Sequence, residues 1–483
     1  MKLTDCQEKS LAALIEWYYS DQTTASLIGA AGTGKTTLAK YFLDKVKPKC
    51  TVTAPTHKAR FVIQRSVSRP SETIQKILGF QPDFNIENFN INSPVFAMKG
   101  RVKMQGDLLL IDEASMVNKD LKDYLEVLSK DFDFKILFMG DKRQLPPVGE
   151  TKAKAFSDVE CITELRTLVR QSNINPLMFI LLALRLDIAF LCNEEEPETF
   201  QNLIELCESG LLDVKADDII KNKGQLFKFM LQTNVCGIKD GQGVSFIRSS
   251  KEFEDNIKLE FGADKENTRL LAFTNNRVTQ WNNFIRNQIV NPNEKEHIVK
   301  GDVLIGYMNN GVIYNGCDYL VKEAQPMIFE GIPVYKTVLN EVGTDFNSSI
   351  YMVRYTEEDA YEKFQLAHEA NHKRARTMRG DNWQSYYDWR KQFSVPINMN
   401  TDDYVHPELM IEPNNLPKKD IDFGYSITIH KSQGSTFNNV LVDVDDLVKN
   451  VLKRDKIMFY KLLYVAASRA KGRCIIYFPG NKK

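Results

Sequence analysis

The chain has 483 residues, enough for about three domains by length, and 43% of them are hydrophobic, so sizeable cores are within reach. Lys plus Arg and Asp plus Glu each number 63, a balance that excludes a passive basic coat on nucleic acid and requires any binding channel to be a local patch. The 8 cysteines lack C-x-x-C pairs, no His/Cys/Asp spacing suggests a structural metal, and the N-terminus MKLTDCQEKS is too polar for a signal peptide, which together fit a reducing, cytoplasmic setting.

In chain order, the first strong signal is Gly29-Ala-Ala-Gly-Thr-Gly-Lys-Thr36, a G-x-x-x-x-G-K-[ST] loop. It follows the apolar Ser26-Leu27-Ile28 and precedes the helix-compatible run from Thr37 to Leu43. That is the strand, loop and helix order a phosphate-binding loop requires. Gly29, Gly32 and Gly34 let backbone amides turn onto phosphate oxygens, Lys35 reaches the terminal phosphates of ATP, and the Thr36 hydroxyl suits Mg²⁺.

Between Leu78 and Gln105, Phe84, Ile86, Phe89, Ile91, Val95 and Phe96 alternate with Asn, Pro and Glu, which reads as a small hairpin of partly exposed aromatics or as a satellite core under a loop. Asp107-Leu-Leu-Leu-Ile111 then reads as a buried parallel strand that delivers Asp112 and Glu113 at its C-terminal end. Asp112 is placed to hold Mg²⁺ through water and Glu113 to activate the attacking water. A second such strand, Lys135 to Met139, leads into Gly140-Asp-Lys-Arg-Gln-Leu-Pro-Pro-Val148, where Gln144 is a candidate sensor of the γ-phosphate.

The longest apolar stretch, Leu177 to Cys192, is interrupted by Arg185 and Asp187 and is too short to span a bilayer; it reads as a buried helix opened by Asn175 and Pro176. Strand-like runs and helical patterns alternate from Leu11 to about residue 165, and Arg269 to Phe273, Asn439 to Asp443 and Arg473 to Tyr477 form a second set. From about 299 to 423 lies an insertion that opens with short alternating runs, as in a small β-barrel. It continues from Thr356-Glu-Glu-Asp359 into a helical stretch where Lys373, Arg374, Arg376 and Arg379 accompany Trp383, Tyr386, Tyr387 and Trp389. Such interleaving suits single-strand binding or, equally, packing on the barrel.

Taken together, Gln7, GAAGTGKTT, APTHKAR (54–60), DEAS, GDKRQLPPV, LVRQS (168–172), HKSQGST (430–436) and YVAASRAKG (464–472) resemble the superfamily 1 helicases, and within them the RecD/Dda group of superfamily 1B. The resemblance spans almost the whole chain and implies an α/β fold with two RecA-like P-loop motor domains. The first would cover 1–165 with a pin hairpin at about 79–106, and the second 166–298 plus 424–483. An SH3-like domain would cover 299–423 and carry a helical tower at about 356–395.

The resemblance further implies that Gln7 reads the adenine, that Thr33, Thr37, Gln433 and Gly434 complete the nucleotide site, and that Arg170 and Arg469 are arginine fingers. Pro55, Thr56, His57, Thr274, Asn275, His430, Lys431 and Ser432 would line a single-strand channel, with Phe89 and Phe96 on the pin and Trp383 on the tower. Two departures stand out: Gln75 occupies a place where many relatives carry His, and Ala467-Ser468-Arg469 varies a more usual Val/Leu-Thr-Arg. The implied activity is an ATP- and Mg²⁺-dependent translocase on single-stranded DNA that unwinds duplex forks 5′ to 3′ as a monomer, in a bacterial or phage-infected cell, with single-strand-binding or replication proteins as further partners. The rivals are a P-loop NTPase of another class, such as a kinase, and a non-enzymatic nucleic-acid scaffold. The first would not need HKSQGST and AASRAKG, and intact Lys35, Thr36, Asp112 and Glu113 argue against the second.

Overall fold

The computed structural model describes residues 3–79, 102–147, 149–166, 175–208, 214–233, 237–239, 241–290, 297–344, 346–354, 356–357, 359–377, 382–396 and 419–479. The aromatic segment expected to form the pin, with Phe89 and Phe96, and the LVRQS segment with Arg170 lie outside these residues. No helix among the described residues is long and apolar enough to cross a membrane.

Strands β1 (Thr24–Gly29), β2 (Cys50–Ala54), β3 (Ser71–Thr73), β4 (Leu108–Ile111), β5 (Lys135–Gly140) and β6 (Cys161–Leu165) form one sheet in the order β3-β2-β4-β5-β1-β6. Every pairing in it is parallel. Parallel neighbours need crossover helices, and helices cover both faces, so the central strand β4, Leu-Leu-Leu-Ile, is apolar and buried throughout. In β4, Leu108 and Leu110 enter the core with Trp17, Leu38 and Phe42, while Leu109 and Ile111 enter the opposite core with Leu121, Leu125 and Phe138.

Strands β7 (Gly237–Lys239), β8 (Gln242–Ile247) and β9 (Thr268–Ala272) belong to a second sheet, completed from the far end of the chain. Between them in sequence come β10 (Val303–Gly306), β11 (Asp318–Phe329), β12 (Ile332–Glu341), β13 (Asn347–Val353), β14 (Phe393–Ser394) and β15 (Ile421–Phe423), which form their own sheet in the order β14-β13-β12-β11-β10-β15. The chain then returns through β16 (Ser426–Thr428), β17 (Phe437–Asp443) and β18 (Ala470–Tyr477), giving the second sheet the order β16-β9-β17-β18-β8-β7 with a parallel centre. The expected strands at Arg269, Asn439 and Arg473 are thus neighbours in one sheet.

By internal contacts the chain divides into two compact units, Met1–Glu260 with Asn267–Val278 and Ile427–Lys483, and Phe261–Glu266 with Thr279–Ser426. The insertion read at 299–423 lies inside the second unit. That unit begins earlier partly because the Asn282 side-chain amide exchanges hydrogen bonds with the Ser426 backbone, at 2.7 and 3.0 Å. Its helices Ala360–Thr377 and Asn382–Arg390 pack Phe364 and Trp389 onto Val334, Val353 and Phe393. Trp389 Nε1 donates to Glu330 at 2.7 Å, so this part of the aromatic-basic stretch serves packing.

In the first unit the helix Leu177–Leu191 is buried over most of its surface, as its composition requires. Asn175 Oδ1 accepts the Leu177 amide at 2.9 Å, which gives the helix a defined start at the point the sequence marks.

Candidate nucleotide site

The phosphate-binding loop joins β1 to the helix Lys35–Val46, and Gly32 and Gly34 hold φ of 80° and 82°, a left-handed turn that points successive amides inward. Lys35 Nζ donates to the Gly29 and Ala30 carbonyls at 2.7 and 3.0 Å, and Thr33 Oγ1 donates to Ala30 at 2.9 Å. Thr36 and Thr37 lie in the first helical turn, where the helix dipole favours an anion. Gln7 caps its own helix with Thr4 and sends Nε2 to the Thr33 carbonyl at 3.1 Å, so it touches the loop directly.

Strand β4 presents the two acids at the C-terminal edge of the sheet. The Asp112 amide donates to Thr53 at 2.9 Å, and the Glu113 amide donates to Asp112 Oδ1 at 2.9 Å. Glu113 has φ of 50°, a left-handed conformation that costs a non-glycine residue about 1 kcal/mol or more and concentrates at functional sites. Burial, and after it the Glu113 carboxylate, raises the Asp112 pKa. Burial lowers the Lys35 pKa against the pull of Asp141, Glu113 and Asp112, with Arg185 adding to the lowering, so five charged groups share this part of the fold.

Gln144 follows β5 in a turn closed by its own amide on the Asp141 carbonyl at 3.1 Å. The Asp141 carboxylate is fully buried and accepts from the Arg143 amide (3.0 Å), Arg185 (2.8 Å) and the Tyr464 hydroxyl (2.6 Å). Burial pushes this carboxyl up, and Arg185, Lys35 and Tyr464 more than offset it, leaving its pKa below the ordinary value. Arg185, only 4% exposed, also pairs with Glu196 at 2.6 Å, and Glu196 with Arg143 at 2.7 Å.

From the second sheet come Gln433, Gly434 and Arg469. Arg469 is buried, donates to the Val465 and Ser435 carbonyls at 3.1 and 3.2 Å, and lies within electrostatic reach of Glu113 and Asp141. Gly434 has φ of 70°, and a Cβ there would lie 3.0 Å from Ala59, so the HKSQGST turn approaches APTHKAR closely. Ser115 Oγ, Gln144 Oε1 and Gln433 Nε2 are among the 21 described buried polar atoms that have no hydrogen-bond partner within the protein. An unpaired buried polar atom costs roughly 1–3 kcal/mol, and three of them on these particular loops fit a polar ligand.

Of the residues expected along a strand channel, those of the APTHKAR and HKSQGST turns lie close together, Thr56 Oγ1 being 3.6 Å from where a Cβ of Gly434 would sit. Pro55 accepts from Gln75 at 3.3 Å, Thr56 caps the helix His57–Val67, and the His57 pKa is pushed down to about 4, by burial first and then by Arg60, so the ring is neutral. Thr274 gives its amide and hydroxyl to Asp446 at 2.7 and 3.1 Å just before Asn275 starts its helix. His430 lies 5.9 Å from the Phe273 ring, the Lys431 amide donates to Thr428, and the Ser432 hydroxyl is turned onto the Ile429 carbonyl at 2.7 Å. Trp383, in the second unit, is 37% exposed and edge-on to His372 at 5.4 Å.

Sequence reasoning passed over Asp141, Arg185, Glu196, Tyr464 and Asp446. Asp141 and Tyr464 stand inside the quoted motifs, and Arg185 was visible as a charge in an apolar helix. Nothing local pointed to Glu196 or Asp446.

Two sheets with parallel strands at their centres, whose loops bring the P-loop lysine, the paired acids and a distant arginine within electrostatic reach of one another, fit a P-loop NTPase of the motor type. Family models agree: residues 2–186 match an AAA domain and residues 423–477 a UvrD-like helicase C-terminal domain. The chain is 25% identical to an uncharacterized protein of Acanthamoeba polyphaga mimivirus, over 92% of this chain and 94% of that one. It is 22% identical to the ATP-dependent DNA helicase dda of Enterobacteria phage T4, over 63% of this chain and 60% of that protein. The fold is that of Pif1 helicase from Candida albicans, with a TM-score of 0.50 at 16% identity over 99% of this chain and 95% of the other. The AAA and UvrD-like helicase C-terminal matches, with the Dda relative, support a helicase of superfamily 1B, to which this chain is similar.

Proposed function

We propose that this protein couples ATP hydrolysis to 5′-to-3′ movement along single-stranded DNA and unwinds the duplex at a fork. The observation that carries the reading is the helix Lys456–Ser468, whose Tyr464 hydroxyl donates to Asp141 beyond β5 of the first sheet at 2.6 Å and whose C-cap is Arg469, within electrostatic reach of Glu113. A site assembled from both sheets makes hydrolysis depend on their closure, and alternating closure is what moves a strand. ATP-dependent DNA helicase activity accords with the family; the polarity, the metal and the residue roles are our reading.

In that reading the loop amides and Lys35 bind the β- and γ-phosphates, Glu113 orients the attacking water and accepts its proton, Gln144 and Gln433 contact the terminal phosphate, and Arg469 meets the charge that develops on transfer. Thr36 and Asp112, hard oxygen donors beside an acidic partner, fit Mg²⁺, which would neutralise phosphate charge. Pro55, Thr56, His57, Thr274, Asn275, His430, Lys431 and Ser432 would line the strand; with His57 neutral, contact rests on backbone and dipoles more than on fixed charge. The three-body division, with motor domains at 1–165 and 166–298 plus 424–483 around 299–423, is the corresponding domain proposal.

Strand displacement on duplexes with a single 5′ or 3′ tail tests the whole reading. ATP-dependent displacement from the 5′ tail alone is expected. Displacement from the 3′ tail alone reverses the polarity, and robust ATPase with no displacement from either leaves an NTPase without unwinding.

A further inference from the structure

Tyr464 and Arg469 sit on the same stretch of chain, the helix Lys456–Ser468 and its C-cap, and Asp141 and Gln144 sit in the same turn after β5. One hydrogen bond joins the two, from the Tyr464 hydroxyl to Asp141 Oδ2 at 2.6 Å. Asp141 cannot shift without disturbing Gln144, because its other carboxylate oxygen accepts the Arg143 amide at 3.0 Å and its carbonyl accepts the Gln144 amide at 3.1 Å. Tyr464 cannot shift without disturbing Arg469, whose Nε is anchored on the carbonyl of the next residue, Val465, at 3.1 Å. A helical turn earlier, Lys461 Nζ donates to the Thr151 carbonyl at 3.2 Å, so one face of this helix is given over to the loop beyond β5. Arg185 supplies the charge that keeps Asp141 ionised in this buried place, at 2.8 Å.

We propose that Tyr464 is a positioning residue for phosphoryl transfer: its hydroxyl, through Asp141, ties the turn that carries Gln144 to the helix that carries Arg469, so that sensor and finger close on ATP as one unit. The inference rests on the roles given to Gln144 and Arg469 above. A pre-organised pair accelerates transfer because no reorganisation is needed when charge develops, and the loss of one hydroxyl should loosen that pairing while leaving the phosphate loop as it is.

The test uses the full chain with single-strand-stimulated ATP turnover as the readout. Tyr464→Phe is expected to lower kcat about tenfold or more with KM for ATP changed less than about threefold, since the binding groups are untouched. Combined with Arg469→Ala, it should slow turnover no further than Arg469→Ala does alone, a non-additivity that a general loss of stability would not produce. Parental turnover in Tyr464→Phe, or losses that multiply in the double variant, would overturn the positioning role while leaving the finger in place. Unchanged turnover in Arg469→Ala would instead remove the finger, and the positioning role with it. Should Tyr464→Phe fold poorly, Asp141→Asn, which keeps the shape and loses the charge, enters the same cycle with the same expectations.

Discussion

The same three side-chain types meet twice in this molecule, once in each compact unit. In the first, Tyr464 and Arg185 bind Asp141 at 2.6 and 2.8 Å; in the second, Tyr425 and Arg286 bind Asp302, both at 2.8 Å. Both carboxylates are fully buried. Burial dominates at Asp302, and Arg286, the Val299 amide and Tyr425 only partly oppose it, so its pKa ends above the ordinary value, whereas at Asp141 the further cation Lys35 tips the balance the other way. A Tyr-Asp-Arg set by itself is therefore a means of burying charge. What would make one of them part of a catalytic site, in the function proposed above, is the P-loop lysine beside it and the arginine at the end of its tyrosine's helix.

The comparison breaks first if the chemistry is not where the first set lies. Lys35→Ala or Glu113→Ala should lower single-strand-stimulated ATP turnover by roughly a thousandfold or more, since one removes charge from the phosphates and the other the carboxylate that orients water. Turnover retained in both purified variants would place the chemistry elsewhere. Arg469→Ala comes next, with an expected loss of roughly a hundredfold to a thousandfold in kcat. Single-strand affinity without nucleotide, measured by fluorescence anisotropy, should stay near the parental value.

A third buried carboxylate sharpens the point. Asp187 has two backbone amides, Leu226 and Phe227, at 2.9 Å each, and burial pushes its pKa from 3.8 up to about 6. Because the folded pKa is the higher one, the folded state holds the proton more tightly, and the stability this group contributes below about pH 4 is lost as pH rises through about 6. The loss amounts to at most about 3 kcal/mol. The stability of the parent relative to Asp187→Asn in urea titrations should fall from pH 4 to 6 and level off above; a difference independent of pH would show that the folded pKa is not raised.

The smallest effect belongs to the second set. Tyr425→Phe removes a hydroxyl that donates to Asp302 and accepts the Val303 amide at 3.2 Å, which should lower stability by about 1–2 kcal/mol. Turnover per folded molecule should be unchanged, in contrast to Tyr464→Phe. If both tyrosine variants slow turnover equally, the distinction between the two sets has no functional content.

Much of the nucleotide site could be read before any coordinates, because its chemistry is local. Gly32, Gly34, Lys35 and Thr36 fall within one short loop, and Asp112 and Glu113 follow an apolar strand whose burial on both faces is written in Leu108-Leu-Leu-Ile111. The strands around Arg269, Asn439 and Arg473 were legible for the same reason. Their union in one sheet was not, since pairing depends on which crossovers close and not on the strands alone.

The sequence by itself determined the phosphate loop, the paired acids, the strand-helix alternation and the buried helix at Leu177, all of which follow from spacing and periodicity over short stretches. Only the tertiary structure decided that Asp446 holds Thr274, that Glu196 joins Arg185 to Arg143, and that Tyr464 reaches Asp141 across 323 positions. Local signals could not reveal these links, because a buried charge becomes tolerable only through a partner of opposite sign or a donor, and that partner is chosen by proximity in the folded chain, about which the residues next to it in sequence carry no information.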